Sequence, residues 1–131
     1  MSQFFNRLRE DTSRGIRADS AGRSDTNEEL LKTLNDCESM CEKVYANIRK
    51  LPDFNLRARQ NTLLRECADM CNLTKKLIAH NSEHAKQAAD LCSVICRHCG
   101  FECAKFSDND SQQCSRVCIY CAQQCANYVN R

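Results

Sequence analysis

Proline occurs once in this chain and glycine three times, at Gly15, Gly22 and Gly100. So few breakers, with no run of alternating β-branched residues, exclude a turn-rich sheet protein and predict an all-α one. Long apolar runs are also missing, and with a mean hydropathy of -0.60 no membrane-spanning helix is expected. Charge of one sign is lacking: 19 Lys and Arg balance 17 Asp and Glu to a net +2, too little for a nucleic-acid surface. The first residues, MSQFFNRLREDTSRG, hold no apolar stretch beyond Phe4-Phe5, so no secretory leader is expected. No Ser/His/Asp set, paired carboxylates or glycine-rich phosphate loop is visible, and an enzyme is not expected.

Cysteine, by contrast, is abundant: twelve in 131 residues, a length that suits one domain. All twelve fall into C-x3-C pairs: Cys37 with Cys41, Cys67 with Cys71, Cys92 with Cys96, Cys99 with Cys103, Cys114 with Cys118, and Cys121 with Cys125. From Cys92 to Cys103 the steps are four, three and four residues, and from Cys114 to Cys125 they repeat. That is the rhythm of one helix face, so the segment 92–125 reads as a helical hairpin with two stripes of thiols. Disulfides within a stripe are excluded by geometry, because helical neighbours hold their Cβ atoms about 5–6 Å apart and a bridge needs about 3.8 Å. A cytosolic setting would keep cross-helix bridges reduced.

Residues 1–26 are polar and dotted with arginine, and form an N-terminal extension: a tail, or a short helix with Phe4, Phe5 and Leu8 on one face. Residues 27–131 form the cysteine-rich domain. Its first helix is expected to start near Asp25-Thr26-Asn27, to point Leu30, Leu34, Cys37, Cys41, Val44 and Ile48 inward, and to stop before Pro52. The second is expected over about 55–80, with Leu63, Leu64, Cys67, Cys71, Thr74 and Ile78 inside. Ser82 is a candidate cap for the third, which carries Ala85, Ala89, four cysteines and then Phe106. The fourth is expected to begin near Ser111 and to end with Cys125 and Tyr128. Short loops force antiparallel neighbours, so the fold class is an up-down-up-down four-helix bundle with a cysteine-lined core. CESMC and CADMC on the first two helices, and CSVIC and CSRVC on the last two, mark it as two hairpins of similar logic.

Counted at about 1.5 Å per residue, Cys37 and Cys41 should lie level with Cys92 and Cys96, and Cys67 and Cys71 within about a turn of Cys121 and Cys125. One or two buried cysteines would be read as small core hydrophobes. Twelve, at positions where leucine would bury more surface, require a bound species to compensate. Soft metals fit. Zinc would need six equivalent pairs divided into separate quartets and usually sits on C-x2-C loops. Iron–sulfur clusters also take four thiolates, but the spacing lacks the proline of the bacterial ferredoxin run; an electron carrier or redox sensor of that kind is the alternative reading. Cu(I) accepts two or three soft thiolates, and a continuous ladder of pairs suits it better.

CSVICRHCGFEC and CSRVCIYCAQQC, with the paired motifs on four helices, resemble the bacterial copper storage proteins over residues 27–131. The resemblance implies storage of multiple Cu(I) ions by all twelve cysteines inside the bundle, and a homo-oligomer, commonly a tetramer. With no leader expected, it implies the cytosolic branch and hence a cytoplasmic location, and copper arriving from a chaperone or a small thiol. With two cysteines on each of the first two helices the chain is poorer in thiols than the richest members, so its capacity is expected to be lower.

Other ligands are weaker candidates. Met40 and Met70 precede Cys41 and Cys71, where packing is favoured over metal binding. His98 should face outward. His80 and His84 are four apart, but a solvated role is favoured for both. Cys103 and Cys114 should mark the metal entrance, near Asp108 and Asp110, while Leu30, Leu34, Thr74, Ile78 and Tyr128 should plug the opposite end.

Overall fold

The computed structural model describes residues 21–131, with side chains from residue 27 onward. It consists of α1 (Ala21–Ile48), α2 (Ala58–Ala79), α3 (Ala85–Cys103) and α4 (Asn109–Val129), with a 3-10 turn at Phe54–Leu56 after α1. Each helix packs on its chain neighbours, and α4 closes the ring against α1. No strand occurs among the described residues, so the expected antiparallel four-helix bundle is the fold.

Helix ends depart from the sequence expectation in informative ways. α1 already runs from Ala21, so Asp25 to Asn27 lie inside it and Gly22 does not stop it; a glycine there lowers helix stability by only about 1 kcal/mol. The expectations for Phe4, Phe5 and Leu8 lie outside the described residues. α2 begins at Ala58, not Asn55, because three-residue turns take up the chain first: Phe54 N–H donates to Leu51 O, Leu56 N–H to Asp53 O and Arg57 N–H to Phe54 O, at 3.1, 2.8 and 2.9 Å.

α2 ends in a paired cap. Asn81 adopts φ 54°, its N–H donates to Ile78 O, and Ser82 N–H donates to Leu77 O at 2.9 Å. Ser82 Oγ in turn accepts the His84 N–H at 3.0 Å, so it serves the amide just before α3. α4 starts at Asn109, two residues earlier than expected, with Asp108 as N-cap accepting the Ser111 N–H. Phe106, expected on α3, lies beyond its end at Cys103.

All the inward positions expected on α1 and α2 are buried, as are Ala85 and Ala89. Each leucine-sized group hidden there stabilises by about 1.5–3 kcal/mol. Tyr128 is half-buried, and Val129 takes the inner position at the end of α4, because the stripe 114, 118, 121, 125 continues by four to 129. α3 and α4 pack so tightly that a Cβ on Gly100 would lie 2.7 Å from Ile119 Cδ1 and 3.1 Å from the Ser115 carbonyl. Glycine at this point sets the spacing of the two helices that carry eight of the thiols.

Candidate metal centre

Helical periodicity places every cysteine on an inner stripe, and in the structure all twelve are fully buried, at 0 % exposure, and free. Their sulfurs meet across helices. Cys41 Sγ lies 3.6 Å from Cys118 Sγ and 3.8 Å from Cys114 Sγ. Cys37 reaches Cys67 at 3.8 Å and Cys118 at 3.9 Å. Cys67 reaches Cys96 at 3.3 Å, and Cys96 continues to Cys71 and Cys92, both at 3.8 Å. The result is an unbroken column of sulfur through the bundle.

Two groups are compact enough for a metal ion: Cys37, Cys41, Cys67 and Cys118, and Cys37, Cys71, Cys96 and Cys121, each with all sulfurs within 4.8 Å of one another. Cys37 belongs to both. A shared thiolate must bridge, which suits a multinuclear cluster of soft ions and argues against separate zinc quartets.

The register differs from the counted heights by about one turn on α1. Cys37 does meet Cys96 in the second group, but Cys41 pairs with Cys114 and Cys118, not with Cys92. On α2 the count holds to within a turn: Cys71 shares a compact group with Cys121, and Cys67 sits against Cys96 and Cys118. Loop geometry between helices, which a count along each helix omits, sets this offset.

Ionisation is uneven along the column. The S–H of Cys118 holds the thiols of Cys37 and Cys67 well below the ordinary range, Cys121 does so for Cys92, and Cys103 for Cys114. The neighbours are pushed up: Cys71, Cys96 and Cys125 beside Cys121, and Cys41, Cys103 and Cys118 beside Cys114. A thiolate wrapped in S–H donors is stabilised, while a second charge next to it is opposed by repulsion and burial. A metal that binds all the sulfurs must therefore displace protons.

The remaining candidates fall away from the column. His80, His84 and His98 are exposed, and neither His80 nor His84 is helical, so they share no helix face. Met40 and Met70 are half-buried and pack against the core cluster. Asp108 and Asp110 are committed elsewhere: Asp108 pairs with Arg57 at 2.9 Å, and Asp110 accepts from Asn47 Nδ2 at 2.9 Å.

A buried polar layer that the sequence reading missed covers the Cys103 end. Gln60 and Ser111 are at 0 % exposure and Arg57 at 5 %. Arg57 donates through Nε to Asp53 Oδ1 at 2.9 Å and through Nη1 to Asp108 Oδ1 at 2.9 Å and Gln60 Oε1 at 3.1 Å, and its guanidinium lies 4.2 Å over the Phe106 ring. Gln60 Nε2 donates to Ser111 Oγ at 2.8 Å and to Cys103 Sγ at 3.4 Å. The signal was available: position 60 continues the stripe 64, 67, 71, 74, 78 backwards by four, and 111 continues the stripe 114, 118, 121, 125 by three.

Similar proteins place the chain in a family. The model of the copper storage protein family (Csp) matches residues 23–130. The uncharacterized cysteine-rich protein YhjQ of Bacillus subtilis (strain 168) is 31% identical over 85 residues, 65% of this chain and 79% of that protein. The Cu(I)-bound copper storage protein BsCsp3 is 31% identical, covers 78% of this chain and 96% of its own, and superposes with a TM-score of 0.74. The copper storage protein Ccsp of Streptomyces lividans, loaded with 10 copper equivalents, shares the fold at 19% identity, with a TM-score of 0.80 over 96% of this chain and 98% of its own. This chain belongs to the copper storage protein family.

Proposed function

We propose that this protein stores or buffers Cu(I), with all twelve cysteines as ligands. The observation that carries the reading is the unbroken column of buried free thiols, joined through the shared Cys37. Soft thiolates select Cu(I), and a two- to three-coordinate ion is served by neighbouring pairs with bridging sulfurs. Capacity is then between about six ions, with two unshared thiolates each, and about twelve with bridging. Each ion that binds releases thiol protons to solvent.

The role is storage and not catalysis, a reading supported by a core whose sulfurs are all enclosed. A cytoplasmic location is supported by the chemistry of the site, since a reducing compartment keeps such thiols available. The storage unit is residues 27–131, with 1–26 as an extension. Copper arrives from a chaperone or small-thiol complex and exchanges ligands one sulfur at a time, through the Cys103 and Cys114 end. The far end is closed by Leu30, Leu34, Thr74, Ile78 and Val129, all buried, none of them a soft ligand. A homo-oligomer, a tetramer by family resemblance, is supported by exposed Leu73, Leu91 and Val94 on the α2–α3 face, and sedimentation of the purified chain tests it.

Anaerobic titration of the reduced protein with Cu(I) against a competing chelator tests the function. Saturation between about six and twelve equivalents is expected; saturation below about four would overturn storage.

A further inference from the structure

We propose that Gln60 is a latch over Cys103 and that Arg57 is the positioning residue that holds it shut. The inference rests on the storage reading for its purpose but not for its geometry. Gln60 stands in the first turn of α2, Ser111 lies three residues before Cys114 on α4, and Cys103 ends α3, so the three share the outermost layer at this end. Neither Cys103 nor Cys114 is accessible. The entrance expected from the sequence is closed, and the side chain whose amide touches Cys103 Sγ is Gln60, at 3.4 Å.

The amide can face only one way. Arg57 Nη1 is a donor without acceptor capacity, so the Gln60 oxygen, 3.1 Å away, must point at it. The Gln60 NH2 group then points at Cys103 Sγ and at Ser111 Oγ, 3.4 and 2.8 Å distant. Arg57 is itself fixed by Asp53 and Asp108, both at 2.9 Å, and by the Phe106 ring. Both Gln60 amide groups have partners and Arg57 is held through Nε and Nη1, so the shut position is well defined.

Opening is easier here than at the opposite end. When Gln60 swings out, its polar groups exchange protein hydrogen bonds for water, a small net change. Moving Leu34 or Ile78 would expose apolar surface and gain nothing in return. The latch admits an ion to Cys103 and Cys114, from which the sulfur column leads inward. It controls the rate of uptake, while the thiols control the capacity.

The test uses the full chain, metal-free, reduced and anaerobic. A bulky aromatic disulfide labels the thiols and the modified cysteines are mapped with time. In parallel, Cu(I) is presented as the complex of a chromophoric chelator, and both uptake rate and final ion number are read. Gln60→Ala is expected to give labelling of Cys103 and Cys114 first and about tenfold faster than the native chain, the factor one net hydrogen bond commands, with faster uptake to the same ion number. Arg57→Met should accelerate the same sites by freeing the amide. Gln60→Leu fills the space without the hydrogen bonds, as an apolar plug, and should label no faster than the native chain. Leu34→Ala, at the other end, should leave Cys103 labelling unchanged.

Native labelling rates in both Gln60→Ala and Arg57→Met overturn the latch, as does first modification of Cys92 or Cys125. If Gln60→Ala fails to fold, Arg57→Met against Gln60→Leu decides, and equal rates overturn it. The labelling arm contains no metal, so a chain that binds no copper refutes storage while the latch is still tested.

Discussion

Cys67 Sγ on α2 and Cys96 Sγ on α3 lie 3.3 Å apart, and this contact joins the two compact thiol groups. Cys67 belongs to one and Cys96 to the other. Replacing both with serine removes the soft ligands at the junction while leaving the fold's volume nearly intact. Copper capacity is expected to fall by more than the two thiols' share, and by more than in the Cys121→Ser/Cys125→Ser chain, because a break at the centre disrupts bridging on both sides. Equal losses in the two variants, read by anaerobic titration, would show that the sites are independent.

Metal removal is expected to leave the bundle folded. Leu30, Leu34, Val44, Ile48, Leu63, Leu64 and Ile78 are buried without any help from a ligand. Circular dichroism of the stripped, reduced protein should show full helix content. Copper should then raise Tm by mass action, in proportion to its preference for the folded chain. A random-coil spectrum without metal would instead place the protein among domains whose folding free energy is metal binding.

Asn81 provides a test of the α2 cap. Its φ of 54° lies where a Cβ-branched side chain is strained by roughly 1–2 kcal/mol. Asn81→Val is expected to destabilise by about that amount in urea unfolding, and Asn81→Gly to be neutral or slightly stabilising. The site is exposed and far from the sulfur column, so copper capacity should not change in either.

Asp108 should make stability depend on acid. Burial opposes its charge, but the Ser111 amide and hydroxyl and the Arg57 guanidinium together hold its carboxyl below the usual range. A carboxyl whose folded value is depressed contributes stability above its unfolded value, about 3.9, and loses that contribution as pH falls through the folded value. Asp108→Asn keeps a good N-cap and removes the charge. At pH 7 it is expected to cost about 1 kcal/mol. Thermal melts should show the gap from the native chain closing below about pH 4; a gap that persists unchanged at pH 2 would rule out the charge as its source.

Most of the fold could be read along the chain because a helix repeats every 3.6 residues and each stripe is a local property. Leu30, Leu34, Val44 and Ile48 on α1, and the thiols on all four helices, were placed on inner faces by spacing alone. The same spacing extended to Gln60 and Ser111, but polar side chains on an apolar stripe are easily taken for its end. Only the bundle shows that Arg57 and Asp108, brought from two separate segments, supply partners that make burial of Gln60 and Ser111 tolerable.

Sequence by itself determined that twelve thiols share one core, because periodicity is set by backbone geometry within each helix. Which sulfurs meet was decided by the tertiary structure. The axial offset between helices depends on how the 51–57 and 104–108 segments turn and on how closely Gly100 lets α3 and α4 approach, and none of these is periodic. That offset puts Cys41 against Cys114 and Cys118, makes Cys37 common to both compact groups, and sets Gln60 over Cys103. Contacts between helices are long-range, and their register is fixed by packing, not by spacing along the chain.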